Sequence, residues 1–108
     1  ALTHLFHGIR KIRRGNAMSL NWLYDVISDR KEHPTSSSYT ASLFSAGMNH
    51  IVQKVGEEAT EIVIAALQEN NQRLIEEIAD LTYHVLVLMA AKGIQPSDIY
   101  AELKRRHR

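Results

Sequence analysis

Apolar residues in this chain recur at three- and four-residue spacing, and no stretch alternates with the period of two that marks a half-buried strand. Leu20, Leu23, Tyr24 and Ile27 make the first such row. Ser19 stands ahead of it as an N-cap and Pro34 follows it, so a helix is predicted from about Ser19 to Glu32. The polar stretch Thr35-Ser36-Ser37-Ser38 reads as a loop, and a short helix follows from Thr40 to Ala46, stopped by Gly47. Two long helices come next, roughly Asn49 to Gln68 and Asn71 to Ala91, the second closed by Lys92-Gly93. The link Glu69-Asn70-Asn71 is short enough to force them antiparallel, as a hairpin. Pro96-Ser97-Asp98 opens a last helix that ends in the basic run Lys104–Arg108. The predicted fold class is all-α, an antiparallel helical hairpin forming a four-helix-bundle-like core.

Within the second long helix, Val85 to Ala91 is apolar on every side. A helix without a polar face is buried all round, and one small hairpin cannot cover it. A second copy of the chain is therefore expected to complete the bundle; the alternative cover is the first and last helices of the same chain. Trp22 and the methionines read as core.

Composition narrows the function classes. The 108 residues fit one domain and include no cysteine, which excludes disulfides, thiolate zinc sites and cysteine nucleophiles and fits a reducing cytoplasm. No apolar run approaches the roughly 20 residues needed to span a bilayer, so no membrane partner is expected. The net charge of +1 is unevenly spread: residues 1–17 carry Arg10, Lys11, Arg13 and Arg14 without an acid. Such a leader suits a nucleic-acid arm or a targeting segment. It lacks the apolar run of a secretory signal and the serines of a transit peptide. Residues 1–17 therefore read as a tag, a linker or a misassigned start ahead of Met18-Ser19-Leu20, with 18–108 as the domain and no nucleic-acid partner.

The candidate chemistry lies in two carboxylate pairs, Glu58-x-x-Glu61 and Glu77-x-x-Asp80. Residues three apart share a helix face, and these faces are apolar: Glu58 lies among Ile51, Val55, Ile62 and Ala65, Glu77 among Leu74, Ile78, Leu81 and Val85. A hairpin can set the pairs opposite each other. Four buried carboxylates raise one another's pKa values, so the cluster calls for a cation. Oxygen donors point to Mg²⁺ or Mn²⁺. The bland alternative is a pair of amphipathic helices whose acids reach solvent. A di-iron bundle wants Glu-x-x-His on two helices, which this spacing does not supply.

Several neighbours have two readings each. Lys54, one turn before Glu57 and Glu58, is placed to meet a phosphate or to ion-pair with those acids. Tyr39 and Thr40 start the short helix, where anions are favoured, yet Ser38 or Thr40 can simply cap it. His84, one turn after Asp80, either hydrogen-bonds Asp80 or packs. Arg105, Arg106 and Arg108 either meet a polyanion or complement a helix dipole. His4, His7, His33 and His50 show no ligand spacing.

The runs KVGEEATEIVIAA (Lys54–Ala66), EEIADLTYHVLVLMA (Glu76–Ala90) and SYTASLF (Ser38–Phe44) resemble the phosphoribosyl-ATP pyrophosphohydrolases, all-α nucleotide pyrophosphohydrolases of the MazG type. The likeness runs from about Leu20 to the C-terminus and includes WLYDVISDRK (Trp22–Lys31). Lacking the cysteines of a fused cyclohydrolase domain, the chain resembles the family's stand-alone form. The resemblance implies hydrolysis of 1-(5-phosphoribosyl)-ATP to 1-(5-phosphoribosyl)-AMP and pyrophosphate in histidine biosynthesis. It also implies a homodimer of helical hairpins, with metal ligands at Glu58, Glu61, Glu77 and Asp80; the cytoplasmic expectation rests on the cysteine count alone. It tips Tyr39 and Thr40 toward substrate contacts; Lys54, Arg105 and Arg106 join them as substrate-binding candidates on position and charge alone. A carboxylate not fully used as ligand, Glu57 or Glu61, would take the proton of the attacking water. The paired acids alone are common to the superfamily, which leaves a house-cleaning (d)NTP pyrophosphohydrolase as one alternative and a non-enzymatic helical interaction module as another.

Overall fold

A computed structural model describes residues 19–107; the basic leader and Arg108, with the expectations attached to them, lie outside the described residues. Five helices run in order: α1 (Leu20–Glu32), α2 (Tyr39–Ala46), α3 (Met48–Gln68), α4 (Asn71–Lys92) and α5 (Pro96–Arg106). No strand occurs among the described residues. The expected all-α class holds.

Local chemistry explains where the helices begin and end. Ser19 Oγ accepts the Trp22 N–H at 3.2 Å, Ser38 Oγ accepts the Ala41 N–H at 3.1 Å, and Asn70 Oδ1 accepts the Arg73 N–H at 2.9 Å. Each satisfies one of the donors that a helix start leaves open. Ser38, not Thr40, caps α2. Gly47 (φ 98°) lets α2 break directly into α3, and Gly93 (φ 73°) ends α4 in the left-handed conformation that favours glycine. Lys31 Nζ donates to the Ala90 carbonyl at 3.0 Å, so the end of α1 clips the end of α4.

The longest packing interface joins α3 and α4 as the predicted antiparallel hairpin; α1 lies against α4, α2 wedges among α1, α3 and α4, and α5 touches α1. The core gathers Leu23, Tyr24 and Ile27 from α1, Leu43 from α2, Ile51 from α3, and Tyr83, Leu86, Val87, Met89 and Ala90 from α4. Full burial of a side chain such as Ile27 or Val87 contributes roughly 1.5–3 kcal/mol.

Two expectations are corrected here. The apolar run of α4 finds cover within the chain: Leu86, Val87, Met89 and Ala90 are buried in a core shared with α1, α2 and α3, and Val85, Leu88 and Ala91 are partly buried against it. Exposed apolar side chains lie elsewhere, among them Val52, Val63 and Leu67 of α3, Ile75 and Ile78 of α4, and Ile99 and Leu103 of α5. Ile78, expected in the core beside Glu77, is 46% exposed. One residue step turns a helix by about 100°, so Ile78 faces away from its neighbour. Among the described residues no helix is long and apolar enough to cross a membrane.

Candidate metal centre

The hairpin brings one acid of α3 against two of α4. Glu58, Glu77 and Asp80 each offer a carboxylate oxygen, and these oxygens all lie within 4.8 Å of one another. Glu77 is buried at 6% exposure, and Glu58 is nearly as enclosed. Glu61 is exposed and stands outside that trio, although its charge reaches Glu77. The structure thus gathers three of the four expected acids closely and leaves the fourth at the margin.

Burial pushes the Glu77 carboxyl above the usual carboxylate range; Arg73 pulls it back, while Asp80, Glu58 and Glu61 push the same way as burial. Two cations compensate the cluster from inside the chain. Lys54 Nζ lies 3.5 Å from Glu58 Oε1 and 3.7 Å from Glu57 Oε1. Arg73 spreads over three acids: its Nη2 donates to Glu77 Oε1 at 2.8 Å, its Nη1 to Glu76 Oε1 at 2.8 Å, and its Nε to Glu69 Oε2 at 3.1 Å. The expectation that only a bound cation could make these acids tolerable is therefore too strict. Arg73 went unnoticed in the sequence; its position four residues before Glu77 was the available signal.

A second chain of contacts closes on the acids from α2. Tyr39 Oη lies 2.9 Å from His84 Nε2, and His84 Nδ1 lies 2.7 Å from the Asp80 carbonyl oxygen. A carbonyl only accepts, so Nδ1 carries the hydrogen and, in neutral imidazole, Nε2 accepts from the Tyr39 hydroxyl. His84 thus bonds the backbone of Asp80 rather than its carboxylate. Its ring also meets Tyr39 and Tyr83 edge-on, with centroids 6.0 and 5.9 Å away. The Tyr39 phenol is raised by burial, lowered by Lys54, and raised further by Glu58, Asp80 and Glu57, which sets it within electrostatic reach of the cluster.

Other expected site residues stand apart. Thr40 is 3% exposed, and its hydroxyl pairs with the Tyr83 hydroxyl in the core. Arg105 and Arg106 are exposed on α5 and bond Glu102 of their own helix, with Nε distances of 2.9 and 2.7 Å. Glu57 is exposed and accepts from Gln53 Nε2 at 3.1 Å.

Residues 20–107 match the family model described as phosphoribosyl-ATP pyrophosphohydrolase. The chain belongs to this family. Similar proteins include a phosphoribosyl-ATP pyrophosphatase of Sulfurisphaera tokodaii, 51% identical over 87 residues that make up 81% of this chain and 93% of the relative. Another phosphoribosyl-ATP pyrophosphatase, from Listeria welshimeri, is 54% identical, with 81% of this chain and 84% of its own length covered. A third, from Saccharolobus solfataricus, is 50% identical over 86 residues, 80% of this chain and 92% of the relative. The family match begins at the first residue of α1 and extends past the end of α5, so it takes in the whole hairpin and the acid trio it carries.

Proposed function

We propose that this protein hydrolyses 1-(5-phosphoribosyl)-ATP to 1-(5-phosphoribosyl)-AMP and pyrophosphate, a step of histidine biosynthesis, with a divalent metal held by Glu58, Glu77 and Asp80. The convergence of those three carboxylates within 4.8 Å, in a chain of this family, carries the proposal. Three hard oxygen donors without a thiolate or imidazole suit Mg²⁺, with Mn²⁺ as a substitute. The ion supplies Lewis acidity, polarising phosphoryl oxygens and acidifying a coordinated water.

The chain's own residues do the rest. Glu61, one turn beyond Glu58 and exposed, supplies the fourth carboxylate and accepts the proton of the attacking water. Glu57 is less suited, because it is engaged by Gln53 and lies 3.7 Å from Lys54 Nζ. Lys54 holds a positive charge beside Glu58 that can pass to a substrate phosphate. With a neutral His84 the Tyr39 hydroxyl donates to its Nε2, and the Tyr39 oxygen lone pairs are then left to accept from substrate hydroxyls. Thr40 has no part in this scheme, and Arg105 and Arg106 enter it only if a second copy brings α5 to the site.

That second copy also belongs to the proposal. Val52, Gly56, Ala59, Val63 and Leu67 follow one another at four- and three-residue steps along α3, and all are exposed. This is the spacing of a helix–helix seam. A homodimer would cover it together with Ile75 and Ile78. A biosynthetic chain without cysteine suits the cytoplasm.

Pyrophosphate release tests the activity. Phosphoribosyl-ATP should be turned over with Mg²⁺ present and not after EDTA treatment, whereas dNTPs should be poor substrates. Turnover of dNTPs with none of phosphoribosyl-ATP would replace this proposal with a house-cleaning role.

A further inference from the structure

We infer that Arg73 is a built-in counter-ion that sets how tightly the acid cluster takes up its metal, an inference that rests on the metal reading above. Glu77 is the most enclosed of the three acids, 6% exposed and surrounded by like charges. A buried carboxylate without a cation is costly, and removing one partner from such a pair leaves the other stranded. Arg73 answers that need at Glu77 Oε1, 2.8 Å away. Its planar fork makes this possible, since a guanidinium presents fixed donors in several directions. Two of those directions are spent on Glu76 and Glu69, at 2.8 and 3.1 Å, which moor the guanidinium at the edge of the cluster. Lys54 offers Glu58 only a looser point charge, at 3.5 Å.

Metal and guanidinium therefore compete for the same carboxylate. Without metal, the Arg73 guanidinium, 2.8 Å from Glu77 Oε1, supplies the positive charge at that corner of the cluster. As metal loads, the arm on Glu77 yields while Glu69 and Glu76 keep the side chain nearby, where its charge opposes the incoming cation. Arg73 is in this sense a positioning residue: it acts through Glu77 and touches no reacting atom.

Titration calorimetry of the full chain with Mg²⁺, and with Mn²⁺ in parallel, tests this together with thermal unfolding in EDTA. Arg73→Gln should bind Mg²⁺ on the order of three- to tenfold more tightly, an advantage that shrinks as salt rises. It should also melt at a lower temperature in EDTA and gain more from added metal than the wild type. Arg73→Lys, which keeps the charge without the fork, should stay within about twofold of wild-type affinity. Arg73→Met keeps the aliphatic stem and serves the same purpose if the glutamine variant does not fold. Unchanged affinity in the charge-removing variants, with metal still binding to the wild type, would overturn the inference and leave the metal reading standing. A wild type that binds neither ion would overturn both.

Discussion

The two halves of the α3–α4 hairpin are packed in opposite ways. Toward α1 and α2, Ile51 and Val87 are sealed at 2% and 0% exposure. Near the turn, Leu67 and Ile75 stand at 79% and 59%. The carboxylate trio occupies the stretch between. Apolar content does not account for the difference, because both halves are rich in aliphatic residues. The sealed half has α1 and α2 to lean on, whereas among the described residues Leu67 and Ile75 of the open half stay exposed. The acids thus sit where a packed core gives way to a surface still free to be covered, which is a place where burial can perturb a carboxyl and a ligand can still reach it.

The largest effect should come from the acids between the halves. Asp80→Asn is expected to lower hydrolysis of phosphoribosyl-ATP by about two orders of magnitude or more while far-ultraviolet circular dichroism stays that of a folded helical chain. Retained activity would detach the trio from the chemistry. A step smaller, Leu86→Ala in the sealed half should cost about 2–5 kcal/mol in denaturant unfolding. Leu67→Ala in the open half should change the stability of a dilute, monomeric sample by no more than about 0.5 kcal/mol. Equal losses at the two positions would erase the contrast.

The smallest effect concerns pH. Glu77 is raised by burial, so the folded chain binds its proton more tightly than the unfolded chain does. Between the ordinary carboxylate pKa and that raised value, the metal-free protein should therefore gain stability as pH falls. Glu76 and Glu102 act with the opposite sign. Hydrogen bonds from Gln72 and Arg73 hold Glu76 low, and bonds from Arg105 and Arg106 hold Glu102 low. Their contribution is present above the ordinary value and is lost as pH falls through the lowered one. The melting temperature in EDTA should accordingly rise on mild acidification and then fall. Glu77→Gln should abolish the rise and keep the fall; a rise that survives it has another source.

The helices were legible in the sequence because their ends are written in local chemistry. Ser19, Asn70, Gly47 and Gly93 act on neighbours within a turn, and no distant contact is needed to place them. Three acids were legible for a similar reason, since three-residue spacing on two helices joined by a short link leaves few ways to arrange them. What was missed depends on rotation about a helix axis or on distant partners. Ile78 lay in a plausible apolar row, but the row's neighbour Glu77 took the buried side. Thr40 looked available at a helix start until Tyr83, 43 residues away, claimed its hydroxyl. His84 spent its Nδ1 hydrogen on the carbonyl one turn back, a choice made by ring orientation. An arginine four residues from a glutamate is ordinary on any helix surface. Arg73 became notable only once Glu77 proved to be buried.

The short turn between α3 and α4 has a further consequence, for the order in which parts of the site can come together. Glu58, Glu77, Asp80, Lys54 and Arg73 all belong to one helix–turn–helix, so bringing them together closes a short loop at little entropic cost. Tyr39 meets His84 across 45 residues of chain, and Lys31 meets Ala90 across 59. The charged half of the site is a local product of the hairpin, whereas its aromatic wall exists only after α2 has docked.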